Sequence, residues 1–391
     1  YASGLCVANF KKKYFKHFLP TDFSNGKSIS RFNVWALSKA KNGNLWIGEL
    51  DGGLDYYNFE NHKFKNYYHI FPGLKKLVAP NFVSVFADND DNLWVGTQTQ
   101  GAYKISNKGN KTTPFNHRPN DPKSIVSDYI QVITQDTEGR IWIGTKQGGL
   151  SMLPNSNAEK FVNFSAKNGL PGNTVFSVIE DHKKDIWIAT DNGLCKYAPK
   201  TGVFRTFDES DGLQSLEFKT GAVYKEASGH ICFGGPEGFN RFHPDSIGYN
   251  VHAPEVYISG IKLFNKPIEP KQSYNNKVYF TKPVHLLDTL SLSYSDYVLS
   301  IDFTGIDYTS PDKNKFAYML EGFEKDWNEV DANRRSANYT NLAPGQYVFR
   351  VKAANNDGLW NEKGRTLIII ISPPWWQTWW FRILATIAIL S

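Results

Sequence analysis

The stretch Gly139-Arg140-Ile141-Trp142-Ile143-Gly144-Thr145, followed at once by Lys146-Gln147-Gly148-Gly149-Leu150, decides how this chain reads. The phrase recurs as Asn44-Leu45-Trp46-Ile47-Gly48 with Gly52-Gly53-Leu54, and as Asn92-Leu93-Trp94-Val95-Gly96-Thr97. It returns as Asp185-Ile186-Trp187-Ile188-Ala189-Thr190 with Gly193-Leu194, and a diverged copy, His230-Ile231-Cys232-Phe233-Gly234 with Gly238-Phe239, closes the series. Positions 46, 94 and 142 stand 48 apart, and 187 and 232 follow at intervals of 45. A fixed period in this range marks a repeat architecture.

Each unit reads as four short strands. Tyr129 to Thr134 alternates with period 2, as a half-buried strand does. Asp136-Thr137-Glu138-Gly139 is a turn cluster. Arg140 to Thr145 is a second strand, with Ile141 and Ile143 on one face and Trp142 on the other. Leu150 to Leu153 and Phe161 to Phe164 supply the third and fourth. Four antiparallel strands at this spacing predict the blades of a β-propeller. The glycine after each Trp-Ile allows close approach between blades, and each tryptophan fills the wedge between neighbours, so these rings are packing and not ligand platforms. Five units run to about Pro244. Before them, Gly4-Leu5-Cys6-Val7 through Phe15-Lys16-His17-Phe18 matches the second half of a unit, so the chain is expected to open in mid-repeat as a partial ring, with Tyr1 not the natural N-terminus.

Composition agrees with an all-β fold: 15% of the 391 residues are aromatic, and Gly and Pro are frequent. A net charge of +6 is small for the length. The one compact basic run, Lys11-Lys12-Lys13, reads as a solvated strand end, so no nucleic-acid contact is expected. Cys6, Cys195 and Cys232 form no CxxC pair. The nine histidines show no metal-ligand spacing, so neither metal nor cofactor is expected.

The pattern changes near Asn250-Val251-His252-Ala253-Pro254. Strands over 256–263, 290–294, 298–303, 316–320, 347–353 and 366–371, about seven in some 120 residues, predict an immunoglobulin-like β-sandwich. The last stretch, Pro373-Pro374-Trp375-Trp376-Gln377-Thr378-Trp379-Trp380 and the apolar run after it, reads as an aromatic belt leading into the start of a transmembrane helix. From Trp379 onward it reaches only about 20 Å of the roughly 30 Å a span needs. The expected divisions are 1–249 for propeller repeats, 250–373 for the sandwich and 374–391 for the join and truncated helix.

The Leu-Trp-Ile-Gly-Thr…Gly-Gly-Leu units resemble two-component-regulator propeller repeats, and the segment from Pro254 to Pro373 resembles the three-tyrosine domain that follows such propellers. Its tyrosines would be Tyr318, Tyr339 and Tyr347, and the Trp-rich join resembles the lead into the family's membrane helix. The resemblance implies a periplasmic sensor region anchored in a bacterial inner membrane, part of a hybrid histidine kinase that detects oligosaccharides. It further implies a homodimer through the sandwich and join, with kinase, receiver and DNA-binding regions beyond Ser391. No catalytic residue is expected in this chain.

Strand order places the second-to-third loops and the lead-ins to the first strands on one rim. That rim carries the candidate ligand residues Arg31, Asn33, Trp35, Glu49, Asp51, Gln98, Gln100, Tyr129, Lys146, Gln147, Asp191 and Asn192. Amides, charges and an occasional aromatic suit sugar hydroxyls. Trp35 stands out because the matching sites read as Ser84, Val132 and Ser177. Two other classes compete. A propeller-fold polysaccharide-cleaving enzyme needs a close carboxylate pair, about 5 to 10 Å apart, and the rim carboxylates recur by repeat and do not cluster. A scaffold presenting a flat face to a partner protein is the other alternative.

Overall fold

The computed structural model describes residues 4–9, 13–21, 26–68, 70–78 and 80–390. Tyr1, Ser391 and the first two lysines of the basic run lie outside them. The chain divides into two compact units, which meet in the sequence between Ile247 and Gly248.

The first unit is a series of antiparallel sheets. Leu5–Asn9 and Tyr14–Phe18 pair as a two-stranded sheet, the expected half-unit. Four sheets of four strands follow, each with its strands paired in chain order. Their first strands are Val34–Lys39, Phe82–Ala87, Ile130–Gln135 and Val175–Glu180, here called blades 1 to 4. Blade 5 has three described strands, Val223–Lys225, Ile231–Gly235 and Gly238–Phe242, one fewer than a full unit.

The alternation read from the sequence sets the packing between blades. Ile141 and Ile143 share a buried cluster with Trp94 of the blade before, while Trp142 turns to Ile186 and Ile188 of the blade after. Trp187 repeats the arrangement against Ile231 and Phe233. Trp94, Trp142 and Trp187 are at most 1% exposed, so they are wedge fillers. The glycine beside each isoleucine makes room for a branched side chain of the next blade more than for its backbone. A Cβ on Gly144 would lie 2.7 Å from Val175 Cγ1, and one on Gly48 would lie 2.5 Å from Val85 Cγ2. Gly149 and Gly193 have a different cause. Both hold positive φ, 100° and 103°, and an added Cβ would collide with the carbonyl of Phe164 or Phe207 on the adjacent strand.

Each wedge tryptophan is held at its indole N–H. Trp94 donates to Asp88 (2.9 Å), Trp142 to Asp136 (2.7 Å) and Trp187 to Asp181 (2.9 Å). The aspartate lies six residues upstream and also accepts backbone N–H groups of its own turn, such as Glu138 N and Arg140 N on Asp136. One buried carboxylate thus closes the turn and fixes the ring. Blade 1 carries Ala40 at this position, and Trp46 is half-buried.

The second unit has two large sheets over one core, with a two-stranded sheet of Ser273–Tyr274 and Lys277–Val278 beside them. The first, in spatial order, holds Lys266–Pro267, Glu255–Leu263, Val298–Ile306 and Ser336–Thr340; the second holds Thr289–Ser293, Arg365–Ser372, Gly345–Ala354, Lys315–Glu321 and Asn328–Asp331. Ile258, Ile301 and Phe303 of the first meet Leu292, Phe316, Phe349 and Ile369 of the second. Thr289–Ser293 runs parallel to Arg365–Ser372, which departs from the antiparallel sheets of the immunoglobulin-like expectation. Tyr339 is buried and donates to Glu324 (3.2 Å), whose carboxylate also accepts Leu320 N and Asn328 Nδ2. Burial, and then the Glu324 charge, push the Tyr339 phenol above its ordinary range. Tyr347 donates to the carbonyl of Ala343 (3.0 Å), closing the Pro-Gly turn.

The terminal stretch is a short helix, of about the length read from the sequence. The terminal helix, α1, spans Trp379–Leu390, and among the described residues no helix is long and apolar enough to cross a membrane. Twelve residues make about 18 Å of helix. Trp375, Trp376, Trp379 and Trp380 are all exposed.

Candidate functional site

The strand pairing brings the loops of the predicted rim together. Within each blade the second-to-third loop is bonded to the lead-in of its own first strand: Leu50 N to Asn33 O, Gln98 N to Asn81 O, Lys146 N to Tyr129 O and Asp191 N to Thr174 O. Each loop also reaches the next blade, through Gly52 N to Pro80 O, Gly101 N to Asp128 O and Gly149 N to Asn173 O. These bonds hold side chains from successive blades at hydrogen-bonding range.

A line of polar groups results. Asp51 N donates to Asn81 Oδ1 (3.0 Å), Asn81 Nδ2 to Gln98 Oε1 (2.6 Å), and Gln98 Nε2 to Tyr129 Oη (2.7 Å). The Lys146 ammonium sits 4.9 Å from the centre of the Tyr129 ring. The next residue, Gln147, donates its N–H to Thr174 Oγ1 (3.3 Å), and Thr174 N donates to Asp191 Oδ1 (3.1 Å). Blades 1 to 4 are linked along one edge. Asn81, which the sequence already places among the lead-ins of this rim, and Thr174, which it does not, are the couplers. The signal that could have found Thr174 is its place in the lead-ins, where Asn33, Asn81, Tyr129 and Thr174 occupy one repeat position.

The other candidates divide. Arg31 stays exposed and donates from Nε to Asp51 O (2.9 Å). Gln100 donates from its backbone to Thr97 Oγ1 and from Nε2 to Val78 O, and Asn192 reaches Pro171 O (3.0 Å). Trp35 is 57% exposed but occupies the bulge between Val34 and Ala36. Its register partners are therefore Val83, Gln131 and Phe176, one residue before the positions read from the sequence, because each first strand carries the same bulge.

Glu49 is not a rim charge. It is fully buried, stands where blades 2 to 4 have Thr97, Thr145 and Thr190, and faces the equally buried Asp55 across Ser30. Ser30 Oγ lies 2.7 Å from Glu49 Oε2 and 2.9 Å from Asp55 Oδ1, while Ser30 N and Asn66 Nδ2 both donate to Asp55. Burial, with the Asp55 charge second, pushes the Glu49 carboxyl up to about 8, and burial raises Asp55 as well. At neutral pH Glu49 is mostly a neutral acid. A carboxylate pair sealed from solvent cannot receive a glycan, so this pair is no hydrolase dyad.

At the opposite ends of the strands, the structure gathers three histidines that the sequence disperses. His182 lies in the first turn of blade 4, His230 in that of blade 5, and His243 just after the third strand of blade 5. His182 and His243 ring centres are 5.4 Å apart, and His243 and His230 centres 5.2 Å. Asp245 stands between the first two.

Two family models match. "Two component regulator propeller" covers residues 124–147 and 169–192, and "Y_Y_Y domain" covers residues 307–372. A curated relative, "Histidine kinase P4" of Formosa agariphila, is 33% identical over 213 residues, 54% of this chain. The chain spans 15% of that relative's length. Among solved structures, the extracellular domain of a hybrid two component system from B. thetaiotaomicron aligns over 95% of this chain and 53% of its own, with 24% identity and TM-score 0.51. PorZ of Porphyromonas gingivalis, from the type-IX secretion system, aligns over 95% and 49%, with 13% identity and TM-score 0.50. The matched segments are thus similar to two-component-regulator propeller repeats and to a Y_Y_Y domain, in that order along the chain.

Proposed function

We propose that this chain is the extracytoplasmic ligand-sensing part of a membrane-bound hybrid histidine kinase, and that its propeller rim binds an oligosaccharide. The single observation that carries the reading is the hydrogen-bonded line from Asp51 through Asn81 and Gln98 to Tyr129, with the Lys146 ammonium over the Tyr129 ring. Amide, phenol and ammonium groups fixed against one another are preorganised for sugar hydroxyls, which need directional partners at low ordering cost. The similarity to the Formosa agariphila histidine kinase and the repeat type support the sensor class.

In this reading the sensor is anchored at a bacterial inner membrane with its sugar site in the periplasm. It works as a homodimer through the second unit and the Trp-rich join. Binding at the rim shifts an equilibrium between two arrangements, and the second unit carries that bias toward the membrane. The test is autophosphorylation of the whole protein in membranes, measured against an oligosaccharide panel. At least one sugar is expected to change the rate, and Gln98→Ala is expected to remove that response while leaving the basal rate. A rate indifferent to every sugar in the panel would overturn the reading.

A further inference from the structure

We infer that His182, His243 and Asp245 form a binding site for a borderline divalent transition-metal ion such as zinc, on the edge of the first unit opposite the sugar rim. The ligand atoms of these three side chains all lie within 4.8 Å of one another. His182 Nε2 is 3.1 Å from Asp245 Oδ1, and His243 Nδ1 is 3.7 Å from Asp245 Oδ2. Two imidazoles and a carboxylate are the donor set zinc takes at about 2.0–2.2 Å, leaving a fourth position open to water. Nitrogen donors favour zinc, nickel or copper over magnesium or calcium, which prefer oxygen cages.

The fold builds the group from separate places. His182 follows Asp181, the aspartate that holds Trp187, so its backbone is fixed by the turn that carries the wedge ring. Asp245 and His243 share a short 3-10 turn in which Asp245 N donates to His243 Nδ1 (3.2 Å). That bond competes with metal for Nδ1, so binding through this atom requires the turn to relax, or the ring to present Nε2. His230, stacked edge-on against His243, is close enough to orient that ring. All three ligands are open to solvent, with side-chain exposures of 42%, 26% and 47%.

One group opposes the metal. Lys183 Nζ sits 2.5 Å from Asp245 Oδ1 and is the cation that a divalent ion must displace. This gives the site a signature that an incidental histidine contact lacks: removing a positive charge that touches no metal should tighten binding.

The experiment is isothermal titration of the 391-residue chain, carrying Cys6→Ser to remove the exposed thiol, with zinc chloride and with magnesium chloride. One zinc site and no magnesium site are expected. His182→Ala and Asp245→Asn should each weaken zinc at least tenfold, His230→Ala less, and Lys183→Met should tighten it several-fold. Circular dichroism of each variant checks that the fold persists. No saturable zinc binding, or zinc binding that His182→Ala and Asp245→Asn leave unchanged, would overturn the site. Zinc binding that Lys183→Met leaves unchanged would overturn the role of Asp245 as a ligand.

Discussion

Asp136→Ala is predicted to cost about 2–4 kcal/mol of unfolding free energy. The carboxylate, 1% exposed, accepts four bonds: Glu138 N, Arg140 N, Arg140 Nε and Trp142 Nε1. Arg140 keeps a second partner in Glu138 (3.0 Å), and the turn N–H groups lie where water can reach them. Losing their acceptor resembles losing a helix cap, about 1 kcal/mol. The Trp142 N–H has no such escape, and an abandoned buried donor costs about 1–3 kcal/mol more. Urea denaturation followed by circular dichroism measures the sum. A double-mutant cycle with Trp142→Phe, which keeps the ring and deletes the N–H, isolates the second part. The expected coupling is about 1–3 kcal/mol. A coupling below about 0.5 kcal/mol, the scatter of independent sites, would refute the idea that the aspartate holds the wedge ring.

Three further outcomes follow from the packing and the buried acids. Gly96→Ala should destabilise by about 1–3 kcal/mol through overpacking against Ile130, whose Cγ2 would lie 2.4 Å from the added Cβ, and the same change should cost less in an Ile130→Ala background, which lacks that Cγ2, in the same urea assay. Because the Glu49 carboxyl is raised to about 8, well above an unfolded glutamate near 4.3, its contribution is full at low pH. It is lost as pH rises toward and through about 8, on the order of 3 kcal/mol between pH 5 and 8. Glu49→Gln, which mimics the neutral acid, should flatten this slope in melts across pH 5–9, and an unchanged slope would place the titration elsewhere. Tyr339→Phe should cost about 1–2 kcal/mol through the lost bond to Glu324, and Tyr347→Phe, whose hydroxyl is exposed, should cost less.

The blades were legible because their determinants are local and periodic. Alternation at 141–143 assigns one face to each neighbour, and the repeat spacing sets the sheet count. The bulge was not legible: inserting Trp35 unpaired leaves the residue pattern of the strand intact while shifting its register by one. Glu49 shows a second limit. Its loop position reads as exposed, yet it replaces a threonine whose hydroxyl points inward, as Thr145 Oγ1 does to Gly149 O. Inheriting that direction buried the acid. The rim line was legible as composition, since most members were candidates, but its connectivity depends on side chains from different blades meeting. The histidine group escaped for the same reason: His182 and His243 are 61 positions apart and meet only when blades 4 and 5 pack. At the C-terminus, the apolar run after the tryptophans was legible as a short helix, and α1 spans Trp379–Leu390.

The central claim is that the linked rim, and not the wedge tryptophans, receives the ligand. Isothermal titration of the whole protein with the oligosaccharide panel, repeated on Gln98→Ala, tests it most directly. The account predicts saturable binding to at least one sugar, with affinity reduced at least about tenfold in Gln98→Ala, because one side chain joins Asn81 to Tyr129. A sugar that binds the wild type and Gln98→Ala equally well would contradict it.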